Sequence, residues 1–134
     1  MASRAEKQRE IALGTVADRL RSGEQVVAML PFAANAPRPR ALGKRREGIY
    51  QTNRRYRPLV VTDRRLFVLQ GAKTPYPHGI LAEFPLASVT FVDVAPRWFG
   101  QQRVRLDLPD EGVVPFDVGK FDDVDGLRAA LGAG

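Results

Sequence analysis

The chain has 134 residues, 44% of them hydrophobic and none of them cysteine, which suits one domain with a real core and excludes a disulfide framework, a thiolate metal site and a thiol nucleophile. Its formal net charge of +6 is uneven: residues 1–57 carry 13 Lys/Arg against 5 Asp/Glu (+8), and residues 58–134 carry 8 against 10 (−2). No run approaches the ~20 apolar residues that span a bilayer, and the opening residues show no apolar stretch ahead of a cleavage site, so neither a transmembrane segment nor a signal peptide is expected.

The first element is a helix over residues 5–21. Leu13, Val16, Ala17 and Leu20 fall at i, i+3, i+4 and i+7 and define its apolar face. Ser3 caps the start with Glu6 as its box partner, and Gly23 ends the segment. Packing on the domain is the simpler use of this helix; self-association is the other.

Residues 26–32, "VVAMLPF", read as a short strand that Pro31 places at an edge or near its end. Residues 34–56 form a long connection, with Pro37, Pro39, Gly43 and Gly48 against regular structure and "GIYQT" as a short strand. A connection of that length is either functional or disordered.

Next come "LVVT" and "LFVL", separated by "DRR". Both runs have strand-forming side chains, and Asp63 suits a tight turn because its carboxylate accepts nearby amides. A hairpin follows, with the arginines pointing outward and their stems on the sheet edge. Strands at 80–84 and 89–94 flank a turn at 85–88. In residues 103–108 Val104, Leu106 and Leu108 alternate with Arg103, Arg105 and Asp107, and Val114, Phe116 and Val118 alternate in the next run. The tail repeats Phe121, Val124, Leu127 and Leu131 at helical spacing, with Asp122 and Asp123 at its start. Helix, about seven short strands, helix is the pattern of a small antiparallel barrel or sandwich with a helix over one end.

Together, Gly23-Glu24 ahead of the first strand, the hairpin over residues 59–66, the "FPLASV" element at 84–89 and the closing amphipathic run resemble the bacterial pleckstrin-homology-like (PH-like) domains and, more distantly, the GRAM domains. The resemblance covers about residues 23–131. It implies a mainly β fold: a PH-like barrel of seven antiparallel strands in two near-orthogonal sheets, a C-terminal capping helix, and here an extra N-terminal helix. The division is then 1–22 for that helix and 23–134 for the PH-like domain. The connection after the first strand is longer and more basic than the family pattern.

In phosphoinositide-binding relatives the basic loop between the first two strands holds phosphates. The matching location holds Arg38, Arg40, Lys44, Arg45, Arg46, Arg54, Arg55 and Arg57, and these are the candidate anion or lipid contacts; the relatives' spacing of basic residues is not reproduced, so only the location carries over. Guanidinium groups suit phosphate through paired donors. Tyr50 and Tyr56 are candidate interface residues in the same segment. Trp98 and Phe99, in "PRWFG", form a second possible interface: an apolar loop beside Arg97 that could reach head groups.

No catalytic residue, metal site or cofactor is expected. His78 is the only histidine and sits between proline and glycine; no histidine–carboxylate spacing points to a metal, and Ser3, Ser22 and Ser88 lack a nucleophile-elbow setting. The reading is a non-catalytic binding module whose partner is a protein, with an anionic membrane surface as the first alternative and nucleic acid, through "NRRYR", as the second. A cytoplasmic protein, peripheral at the inner face of the membrane in the lipid reading, fits the lack of cysteine.

Overall fold

The structure is a computed structural model, and it describes residues 3–43 and 48–132. The expected contacts Lys44, Arg45 and Arg46 lie outside the described residues.

Helix α1 spans Arg4–Val16 and tightens into a 3-10 turn at Ala17–Arg19. Ser3 caps it as expected, its Oγ accepting from the Glu6 amide at 3.1 Å. The buried face is Ala5, Gln8, Ala12 and Val16, so the stripe read from the large apolar residues is partly wrong. Leu13 is 41% exposed and Ile11 38%. Small residues win because the helix lies close on a flat surface, the outer side of a sheet.

The strands are β1 (Val26–Leu30), β2 (Ala34–Asn35), β3 (Leu59–Thr62), β4 (Arg65–Leu69), β5 (Ile80–Pro85), β6 (Thr90–Pro96), β7 (Gln102–Leu108) and β8 (Gly112–Val118). They form two antiparallel sheets, in the orders β1-β3-β4-β5 and β2-β8-β7-β6. Eight strands replace the expected seven because the 26–32 run stops at Leu30, turns through Pro31–Ala33 and re-enters the second sheet as β2. Pro31 cannot donate to a ladder, which is why the chain breaks there. The sheets are not closed into a barrel, against the expectation. "GIYQT" forms no strand; Ile49 and Tyr50 are nevertheless buried, at 1% and 7% exposure.

The two apolar runs of the hairpin are explained by burial on both faces. Leu59, Val61, Leu66 and Val68 point into the core between the sheets, with Val104, Leu106, Val114 and Phe116 opposite. Val60, Phe67 and Leu69 point the other way and are covered by Ala12 and Val16 of α1. The second sheet has one wet face, so β7 alternates cleanly: Val104, Leu106 and Leu108 in, Arg105 and Asp107 out. Helix α2 (Val124–Ala130) is capped by Asp123 and contributes Val124 and Leu127 to the inner core. It approaches β1 closely at Gly126, where a Cβ would come within 2.9 Å of the Ala28 Cβ. Phe121, expected on the helix's apolar face, is 45% exposed and stacks at a tilt on Phe32 instead.

The chain reverses at Asp63–Arg64 as expected, but the Asp63 carboxylate does not accept local amides: its Oδ1 accepts from the distant Gln25 amide, and the Thr62 hydroxyl oxygen takes the Arg64 and Arg65 amides at 3.1 and 2.9 Å. Arg65 does not point outward as expected: it is 8% exposed. Its Nε and Nη2 donate to the two carboxylate oxygens of Glu24 at 3.0 and 2.5 Å, and its Nη1 to Glu83 at 3.3 Å. Thr62 donates its hydroxyl to Glu24 at 2.6 Å. Arg65 holds the Glu24 carboxyl down to a pKa of about 2 despite its burial. The Gly-Glu and "TDRR" pieces of the sequence are therefore two halves of one buried fork that ties β1's approach to the β3–β4 hairpin.

Candidate functional site

The long connection between β2 and β3 is held in shape by two buried polar side chains. Asn35 is fully buried. Its side-chain amide donates to the carbonyls of Ala36, Gln51 and Asn53, and its Oδ1 accepts from the Arg55 amide at 2.9 Å. Arg57 is 2% exposed and donates to the carbonyl of Gly71 at 2.8 Å and that of Tyr56 at 3.1 Å. These bonds lash residues 48–57 to β2 on one side and to the β4–β5 connection on the other. Gly71 is required at the second seam: a Cβ there would lie 2.7 Å from the Tyr56 carbonyl oxygen.

Between the two segments lies a cleft of about 660 Å³, within the range of small-ligand sites. Arg40, Arg55, Arg57 and His78 line it together with Gln51 and Gln70, and no carboxylate lines it among the described residues. Arg57 is the unusual member. Burial, and then the charge of Arg55, pull its pKa below the ordinary arginine value, and among the described residues no carboxylate lies within ion-pairing distance of it. Its Nε is buried without a hydrogen-bond partner among the described residues. A buried guanidinium satisfied only by carbonyls leaves a positive field in the cleft.

The expected contacts thus divide. Arg40, Arg55 and Arg57 come together in the cleft. Arg38 is spent locally: its Nη2 donates to Leu42 O at 3.0 Å, and its guanidinium lies 5.3 Å over the Tyr50 ring. Tyr50, buried beneath it, offers no interface. Arg54 faces the opposite way, 3.8 Å from Asp117 and 5.7 Å over the half-buried Tyr56 ring. Sequence reasoning missed His78, Gln51 and Gln70; a histidine in a Pro/Gly loop carries no spacing signal, and only the fold brings residues 70–78 beside 51–57.

Trp98 and Phe99 form the tip of the β6–β7 hairpin, 73% and 101% exposed. Arg97 and Arg103 beside them share Asp117 with Arg54. A second cleft, of about 750 Å³, lies between β1 and the start of α2. It mixes Arg9 and Lys120 with Asp123 and Asp125, so it favours neither sign of charge. Asp122 sits in its wall, buried, accepting from the amides of Phe32 and Gly119 at 2.8 and 2.7 Å; burial raises its pKa to about 6. Among the described residues no group of three His, Asp or Glu is placed to hold a metal ion, and no helix is long and apolar enough to cross a membrane.

Compared with known proteins, the chain matches no family model, and no curated protein matches its sequence.

Proposed function

We propose that this chain is a non-catalytic, PH-like binding module that takes a phosphate-bearing anion in the Arg40–Arg55–Arg57 cleft. The PH-like reading is supported by the strand pattern: β1 and β2 taken as one bent strand give seven runs, followed by a helix that enters the core. The ligand reading rests on one observation, the convergence of three arginines and His78 on a cleft lined by no described carboxylate. Arg40 and Arg55 supply guanidinium donors, Arg57 a buried fixed charge, and Gln51 and Gln70 complete a neutral rim. The nucleic-acid alternative draws on the same charge and the expected protein partner on the resemblance alone, neither with a feature as specific as this cleft.

The test is an amide NMR titration of the full chain with inorganic phosphate and with glycerol 3-phosphate, sulfate serving as control. Shifts are expected at residues 51–57 and 70–78, larger with the ester than with sulfate. Arg55→Ala should weaken binding about tenfold, the worth of one charge-assisted bond. Shifts scattered over all exposed arginines, or equal for sulfate, would overturn the proposal; saturation by phosphate alone would point to a free anion rather than a head group.

A further inference from the structure

The β6–β7 tip is built to hold two aromatic side chains in solvent. The hairpin closes through Arg97 N–H to Gln101 O at 2.7 Å and Gln101 N–H to Trp98 O at 3.0 Å. Phe99 occupies the left-handed region, φ 54° and ψ 43°. That conformation suits glycine or asparagine and is strained for a bulky residue. The side chain gains nothing from the fold in return, being fully exposed. Trp98 before it is 73% exposed, and Gly100 after it gives the turn its freedom with φ 76°. Strain kept at an exposed aromatic argues for a use outside the fold.

The surroundings choose the partner. On the wet face of the second sheet Arg54, Arg97 and Arg103 surround Asp117, with approaches of 3.8, 3.8 and 2.8 Å. Three guanidinium groups against one carboxylate leave a formal +2 directly behind the tip, and Asp117 itself is 8% exposed. The cleft that Gly100 borders on the other side mixes Arg9 and Lys120 with Asp123 and Asp125 and supplies no net positive charge, so the contact belongs to the arginine flank. We infer that this tip is an insertion element for an anionic bilayer surface: Trp98 and Phe99 enter the interfacial layer while Arg54, Arg97 and Arg103 stay at head-group level. Tryptophan favours that layer because its ring is apolar and its N–H polar. Each basic residue held near an anionic leaflet adds roughly fivefold in affinity. The inference does not depend on the Arg40–Arg55–Arg57 cleft.

Trp98 is the chain's single tryptophan, so its fluorescence reports the tip alone. With full-length protein and vesicles of phosphatidylglycerol and phosphatidylcholine at low salt, its emission is expected to shift to the blue and to be quenched by lipids brominated on their acyl chains. Phosphatidylcholine vesicles alone should give a much weaker shift, and added salt should reverse the anionic response. Phe99→Gly relieves the turn and removes the ring; it is expected to raise Tm while weakening vesicle binding about tenfold or more. Arg55→Ala should leave the Trp98 shift in place even where it abolishes phosphate binding, which separates failure of one proposal from failure of the other. An unshifted Trp98 spectrum with anionic vesicles overturns the inference, as does unaltered binding by Phe99→Gly. A blue shift that follows protein concentration without lipid also overturns it, by assigning the tip to self-association.

Discussion

Glu24 and Arg65 show how a strongly perturbed charge pair can be structural. The pair lies 41 positions apart in sequence and joins the entry of β1 to the β3–β4 hairpin. Removing one partner leaves the other buried and unpaired, so Arg65→Ala should cost about 3–5 kcal/mol in chemical denaturation. The pH dependence has a definite sign. Glu24 titrates near 4.5 when unfolded and near 2 when folded, so its contribution is full above about 4.5 and lost as pH falls toward 2. Asp122 is the reverse case, raised from 3.8 to about 6 by burial. Its contribution is present below about 4 and lost as pH rises toward 6. Urea unfolding measured from pH 2 to 7 should therefore show an acid limb that Glu24→Gln flattens and a decline between pH 4 and 6 that Asp122→Asn flattens. The position of the turn was readable from the sequence, but its chemistry was not: Thr62, rather than Asp63, accepts the local amides. The Glu24–Arg65 fork was not readable either, since nothing in the sequence tells Arg65, the first residue of β4, from its exposed neighbour Arg64 in the turn.

Among the elements, the strands of the second sheet were the most readable. One face of that sheet meets water, so Val104, Leu106 and Leu108 alternate with polar neighbours and the pattern names the face. The first sheet gives unbroken apolar runs, which mark strands without saying that a helix covers the far side. The α1 face was read only in part: of the stripe Leu13, Val16, Ala17 and Leu20, Val16 and Leu20 pack on the sheet, while Leu13 is exposed and Ala12, too small to mark the periodicity, takes its place. A pair of substitutions distinguishes the two faces. Val16→Ala removes fully buried methyl groups beneath α1 and should lower unfolding free energy by about 2 kcal/mol. Leu13→Ala, on the exposed side, should change it by less than about 0.5 kcal/mol.

At the scale of the molecule, the layers run α1, first sheet, inner core, second sheet, with α2 entering the core beside β1. The central strands of the double-covered sheet carry the densest burial: β3 and β4 are buried at every position. Amide exchange should be slowest there, faster in the short β2 and fastest at the β6–β7 tip, as mass spectrometry of exchanged peptides would show. The candidate cleft was readable as a location, because its arginines are crowded into one connection. Its membership was not, because Asn35 and Arg57 sort those arginines among three surfaces. One tie spans the layers. Gln8, buried on α1, donates its side-chain amide to the Pro75 carbonyl, in the same connection that brings Gln70 and His78 to the cleft wall. The leading helix and one wall of the cleft thus hang on a shared connection, and Gln8→Ala, which cuts the tie, is expected to speed amide exchange in residues 70–78.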